Sequence, residues 1–260
     1  MTCKTLVFGD GLLGSKYKGR PDTVVISHAE CDITSWYDVR ATMEHHTPST
    51  VINCAGMVPK AKTDKEMDMV KANALGPHIL YRECERQLCH FVQVSTDCVF
   101  DGKSGWNSEI DMPNASSVYG ISKWLGEQTE FPHLTVRASF VGIDDPKGRG
   151  LLHWAQNTSD IIVGYDKVIW NGVTTKELVA KLDLMITENR TGLYHIHSKI
   201  GTTKHQLLVD ANEIFGWGKT IIAQSSVVGT TIVVENRLLS SLSNVGVVDK
   251  LIKDQLKELV

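Results

Sequence analysis

The apolar positions in the first half of the chain fall in short β-rich runs separated by longer stretches of mixed polarity. The runs from Thr5 to Phe8, Thr23 to Ser27, Thr50 to Asn53, Phe91 to Ser95 and Leu134 to Arg137 predict strands. Between them, Trp36 to His46 and Asp64 to Gln87 place polar and apolar residues at helical spacing and are long enough to serve as crossover helices. Strand and helix in alternation predict stacked βαβ units, and so an α/β fold with a doubly wound parallel sheet.

After Ser139 the pattern changes. GIDDPKGRG is a polar, glycine-rich loop, followed by a short helix from Gly150 to Asn157. VTTKELVAKLDLMITE, residues 173–188, reads as a helix that packs back on the sheet, and KHQLLVDANEIFG as another, ended by Gly216. The chain is expected to divide into a Rossmann-like region, residues 1–140, and a small C-terminal region, residues 141–260, that mainly binds substrate.

Composition narrows the function. With 260 residues, 42% hydrophobic and 22% charged, the chain can bury a sizeable core. A formal net charge of -3 and the lack of a basic run point away from nucleic-acid polymers and anionic membranes, and toward small-molecule chemistry. The six cysteines, Cys3, Cys31, Cys54, Cys84, Cys89 and Cys98, have no CxxC spacing, so no metal cage is expected and they read as free thiols. The apolar stretch at the N-terminus is too short for a signal peptide or a membrane span, so a cytoplasmic location is expected.

The first strand runs into Gly9, Asp10, Gly11, Leu12, Leu13 and Gly14, a GxGxxG turn. Its glycines allow backbone N–H groups to approach a pyrophosphate at a helix N-terminus. Alone the motif is weak, because such a turn also serves as a plain strand-to-helix connection. The second strand ends in Ser27 and His28 with no carboxylate at its tip, which leaves room for a 2′-phosphate and favours NADPH, with NADH as the alternative. Asp32 with Ile33 is expected to border the adenine.

A stronger signal is STDCVFDG (95–102) at a strand end together with YGISK (119–123) opening a helical run. In a YxxxK pair the two side chains share one helix face, so the ammonium of Lys123 is expected to lower the phenol pKa of Tyr119. Tyr119 then donates a proton to a carbonyl oxygen, Thr96 bonds the same oxygen, and Lys123 holds the nicotinamide ribose. A Tyr and a Lys four positions apart are common in helices by chance. What gives them weight is the glycine turn upstream, NCAG (53–56) after a middle strand and STD at the next strand end.

Taken together these motifs resemble the extended short-chain dehydrogenase/reductase superfamily, and most closely its dTDP-4-dehydrorhamnose reductase-like branch. STDCVFDG is similar to that branch's STDYVF segment and NCAG to its NAAA segment. KANALGP carries the Asn73 expected in the neighbouring helix, and RASFVG and GLYHIHS look like later landmarks. The resemblance implies Thr96, Tyr119 and Lys123 as the catalytic set. Gly9, Gly11, Leu12, Leu13, Gly14, Asp32, Ile33, Ala55, Gly56 and Asn73 are implied around the dinucleotide. The expected substrate is a nucleotide-linked 4-keto-6-deoxysugar, reduced at C4. A homodimer is left open.

Two departures from the pattern matter. The glycine turn is one residue shorter than the GxxGxxG common in the superfamily, which puts the shape of the cofactor loop in question. Cys98 stands where rhamnose reductases usually carry Tyr. GDP-fucose synthase and the plant bifunctional epimerase/reductases look similar at this position, so Cys98 implies an added 3,5-epimerase activity with His153 as candidate partner. A 4,6-dehydratase is expected to carry Asp then Glu after the catalytic Thr, whereas here Asp97 is followed by Cys98. The competing reading is a non-catalytic, dinucleotide-binding regulatory subunit, similar to the regulatory chain of methionine adenosyltransferase.

Overall fold

The computed structural model describes residues 4–59, 65–103, 105–143, 148–225, 235–238 and 244–260. At its centre is a seven-stranded parallel sheet. Its first strands are β1 (Thr5–Phe8), β2 (Thr23–Ile26), β3 (Thr50–Asn53) and β4 (His90–Ser95). The order across the sheet is β2, β1, β3, β4, Leu134–Ala138, Gly192–Ser198, Val247–Val248. The chain steps from β1 outward to β2 and returns to β3 on the other side of β1. That reversal opens a crevice beyond the carboxyl ends of β1 and β3, the place where doubly wound sheets bind ligands.

Alternation along the strands builds a core on each face. Leu6 and Phe8 of β1 point to one side, with Val51 and Phe91, and meet Val39 and Met43 of α1 (Trp36–His46) and Leu80 of the later helix α3 (Gly76–Gln87). Val7 points to the other, with Ile52, Val92 and Val136, and meets Leu178, Leu182 and Met185. The sheet is thus covered on both sides, which fits its near-continuous apolar strands.

The expected helix from Asp64 to Gln87 is three pieces; Asp64 itself lies outside the described residues. α2 (Glu66–Val70) passes through a π turn, Lys71–Leu75, into α3. The cause is Pro77: it lacks an N–H, and its ring crowds the carbonyl four residues back, so the helix widens there. The amide of Gly76 accordingly bonds the carbonyl of Lys71, five residues earlier.

One expectation is corrected at the glycine turn. Between β1 and β2 there is no α-helix, only a single 3-10 turn, Gly14–Tyr17, because just fourteen residues (9–22) separate the two strands and Gly19, Arg20 and Pro21 follow the turn. Tyr17 is buried and fills the space under the sheet beside α6 (Thr175–Thr187).

The other helices in this order are α4 (Val118–Leu125), α5 (Leu151–Asn157), α7 (Lys204–Phe215) and α8 (Ile252–Lys257). Side-chain caps from Ser35, Ser117, Thr174 and Thr203 start α1, α4, α6 and α7. Gly216 ends α7 at φ 63°. Residues beyond 141 serve two purposes. Gly192–Ser198, Val247–Val248 and α6 complete the main sheet and its cover, while Ile161–Tyr165 pairs with Thr220–Gln224 and packs on α7. The strand pairings of this region join residues far apart in the sequence, which is why its strands, unlike its helices α5, α6 and α7, carry no clear local pattern.

Candidate active site

β1, β3, β4 and the strand Leu134–Ala138 point their carboxyl ends at a cavity of about 340 Å³. Gly11, Leu12 and Leu13 of the glycine turn line it, together with Ala55 and Gly56 after β3 and with Thr96, Cys98, Tyr119 and Lys123. A smaller cavity of about 100 Å³ continues past Gly9 and Gly11 to Ser27, His28 and Ile33.

The three glycines of the turn are there for different reasons. Gly9 has φ +97°, and a Cβ on it would meet the Ala55 amide nitrogen at 2.6 Å; a Cβ on Gly14 would drive into the Gly9 carbonyl. Packing fixes both. A Cβ on Gly11 would meet the Arg149 guanidinium, the far end of a flexible side chain, and nothing else within 4 Å among the described residues. Of the three, Gly11 keeps the cavity side open.

α4 brings Tyr119 and Lys123 to the site. Ser117 caps the helix by accepting from the Gly120 amide at 3.1 Å. Gly120 has no side chain, so the helix packs directly on the Cys98 backbone. This seats the Tyr119 phenol within hydrogen-bond reach of Thr96. Thr96 also caps the short turn Asp97–Val99, accepting from the Cys98 amide at 3.2 Å.

Asn73 does not line either cavity but ties the site together. Its side chain accepts from the Met57 amide at 2.7 Å and donates to the Met57 carbonyl at 2.9 Å and to the Ser122 hydroxyl at 3.2 Å. The loop after β3 and α4 are thereby held to one frame, from a π turn of the kind that often marks functional sites.

Electrostatics here is dominated by burial. Lys123 is 7% exposed, and desolvation pushes its pKa down to about 8, with Glu127 and Cys54 opposing. Its ammonium donates to the Val94 carbonyl at 2.7 Å. Burial raises the Tyr119 phenol, helped by Cys98 and Asp97 and opposed by the Thr96 hydrogen bond. The expected lowering by Lys123 is therefore not what this geometry produces: burial holds the phenol above its ordinary range. Burial, with Asp97 next, pushes the Cys98 thiol up to about 12; its sulfur donates to the Asp97 carboxylate at 3.5 Å.

Not every residue singled out from the sequence comes to the cavity. Asp32 accepts from the Thr34 amide and hydroxyl at 2.9 and 2.8 Å in the turn before α1, and lines neither cavity. His153, on α5, sits beside Gly148, and Asn157 contacts its ring at 3.3 Å; it does not line the cavity either. Conversely, Cys54, Ser139 and Arg149 line the larger cavity without having been expected. Cys54 was visible as the second residue of NCAG; Arg149 sits in a loop whose reach depends on tertiary folding.

A parallel doubly wound sheet, a glycine turn at the first strand and a Thr, Tyr and Lys around one cavity define an extended short-chain dehydrogenase/reductase fold. Residues 4–216 match the family described as RmlD substrate binding domain, and the chain belongs to that family. A dTDP-4-dehydrorhamnose reductase of Streptomyces griseus is 26% identical over 204 residues, covering 74% of this chain and 67% of that protein. A dTDP-4-keto-6-deoxy-D-glucose reductase of Streptomyces niveus is 33% identical over 136 residues, covering 49% and 47%. The alignments thus span about half to two thirds of these relatives. Among solved structures, a dTDP-4-dehydrorhamnose reductase from Clostridium acetobutylicum superposes with TM-score 0.82 at 23% identity, covering 98% of each chain. The same enzyme from Bacillus anthracis, in complex with NADP, gives 0.81 at 18% identity, covering 100% of this chain and 99% of the other.

No helix among the described residues is long and apolar enough to cross a membrane. No group of three or more metal-binding side chains occurs among them, and Cys31, Cys54, Cys84, Cys89 and Cys98 are free thiols.

Proposed function

We propose that this chain is an NADPH-dependent reductase of a nucleotide-linked 4-keto-6-deoxysugar. The observation that carries the reading is the convergence of Thr96, Tyr119 and Lys123 on the cavity that also opens onto Gly11. The family and the relatives' substrates, dTDP-linked keto sugars by name, supply the substrate class.

The cavity fits a dinucleotide. Gly11 puts no side chain of its own into it, and the smaller cavity reaches Ile33, where an adenosine would lie. Gly9, Gly11, Leu12, Leu13 and Gly14 would shape the phosphate turn, Ile33 the adenine side, Ala55 and Gly56 the floor, and Lys123 the nicotinamide ribose. A bound nicotinamide supplies the hydride. Ser27 and His28 border the smaller cavity with no carboxylate of their own, and Glu30 is turned back onto the Ser27 amide and hydroxyl at 2.8 and 2.7 Å. That arrangement favours NADPH.

The chain's own residues handle the proton. A substrate ketone oxygen placed between Tyr119 and Thr96 accepts two hydrogen bonds, which strengthen as negative charge develops on it. The phenol, which carries its proton at neutral pH, is the proton donor in the reductive direction. Residues 1–140 would hold the dinucleotide and residues 141–260 mainly the sugar. The test is loss of NADPH absorbance with a panel of 4-keto-6-deoxysugar nucleotides, products being read by mass spectrometry. Turnover that Tyr119→Phe abolishes supports the reading. Dinucleotide binding without turnover of any member would make the chain a non-catalytic dinucleotide-binding subunit.

One observation favours an added epimerase activity: Cys98 lines the cavity beside Thr96. With its pKa near 12 the thiol is suited to donate a proton at C3 or C5, not to act as a thiolate base. His153 lies outside the cavity lining, so the base for such a step must come from another group or from the substrate-bound form of the site. Solvent deuterium entering C3 or C5 in wild type but not in Cys98→Ser would support the activity, and equal incorporation would remove Cys98 from it.

A further inference from the structure

Arg149 is a charged residue of the cavity lining to which the proton chemistry gives no task. It stands two positions before α5, in the loop that follows the strand Phe140–Val141, far in sequence from the glycine turn. It lines both cavities, as do Gly11, Cys54, Ala55 and Gly56, and so stands where the two meet. Its Nη2 lies 2.8 Å from the point where a Cβ on Gly11 would be, directly over the turn.

The charge requirement at that point is unusual in this chain. A Rossmann turn ordinarily offers a pyrophosphate several backbone N–H groups and the partial positive charge of the α-helix that starts there. Here only the one-turn 3-10 segment Gly14–Tyr17 follows, so few aligned peptide dipoles stand behind the turn. The other cation lining the larger cavity, Lys123, is at its Tyr119 end and is bonded to the Val94 carbonyl. A guanidinium over Gly11 presents planar paired donors of the geometry that phosphate oxygens accept.

We propose that Arg149 binds the pyrophosphate of the dinucleotide over the Gly11 turn, supplying the charge that a full first helix would otherwise provide. The proposal rests on the reductase reading above, which places a dinucleotide in this cavity. Its position at the junction of the two cavities leaves the 2′-phosphate of NADPH as the competing target, and the two make opposite predictions.

The experiment is direct calorimetric titration of wild type and Arg149→Met with NADPH, NADH and ADP-ribose, with thermal melts to confirm folding. Arg149 is half-exposed in a loop, so the substitution spares the core. Loss of a charge-assisted contact to the pyrophosphate should weaken all three ligands by a common factor, on the order of tenfold to a hundredfold. Weakening of NADPH alone would assign the guanidinium to the 2′-phosphate and overturn the proposal. Unchanged affinity for all three would overturn it as well. A wild-type chain that binds none of them would instead remove the reductase reading itself, and the proposal with it.

Discussion

The carbonyl of Gly9 occupies the space that a side chain on Gly14 would need. The two ends of the glycine turn are therefore locked by each other, while Gly11 between them faces the cavity. The same motif thus holds two glycines fixed by packing and one whose only Cβ contact is a flexible side chain.

Gly14→Ala is expected to unfold the turn, with destabilisation by several kcal/mol on the order of other severe core changes. Gly11→Ala displaces only the Arg149 side chain, so its melting temperature should stay near wild type while NADPH affinity falls. Melts and calorimetry on both variants check the contrast. Equal loss of stability in the two would contradict it.

Tyr119→Phe removes the proposed proton donor and leaves the shape of the cavity. We expect kcat to fall by about 10²- to 10⁴-fold with little change in NADPH affinity. Steady-state rates beside calorimetric binding separate the two effects, and a variant that turns over normally would exclude the phenol.

Lys123 gives a pH dependence with a definite sign. Its folded pKa is depressed from 10.5 to about 8, so the ammonium is present below about pH 8 and lost above it. Turnover that needs the ammonium should decline along an alkaline limb centred near pH 8. Stability moves the other way: between about 8 and 10.5 the unfolded chain binds more protons, so this group's contribution rises with pH over that window. Pre-steady-state rates and denaturation midpoints across pH 7 to 10 measure the two trends.

Arg137 and Glu127 form a forked ion pair behind the site, with both bonds at 2.8 Å and side chains only 3% and 5% exposed. Ser95, next to Thr96, donates to the same carboxylate at 2.6 Å. Arg137→Met strands a buried carboxylate and should cost about 3 to 5 kcal/mol in chemical denaturation. The double variant Arg137→Met with Glu127→Met removes both charges and should regain most of that loss. If the double variant is no more stable than the single one, the stranded charge is not the cause.

Much of this architecture was legible locally. The helix Trp36–His46 and the strands Thr5–Phe8 and Thr50–Asn53 fall where apolar periodicity put them, because each buries a continuous face and so writes its own period. The strand Gly192–Ser198 was less visible as a strand: its tyrosine and two histidines break the apolar run, although both histidines are buried in the sheet. The glycine motif, one residue short, put only the shape of the cofactor loop in question; that a single 3-10 turn replaces the expected helix appeared only in three dimensions.

By itself the sequence determined the alternation of strands and helices, the glycine turn and the placing of Tyr119 and Lys123 on one helix face, since spacing along a helix survives any tertiary arrangement. Tertiary structure decided the rest: that burial raises the Tyr119 phenol instead of Lys123 lowering it, that His153 stands outside the cavity lining, and that Arg149 reaches Gly11. Each of these depends on which distant segments exclude water or bring charge to a point, and residues far apart along the chain carry no record of that in their order.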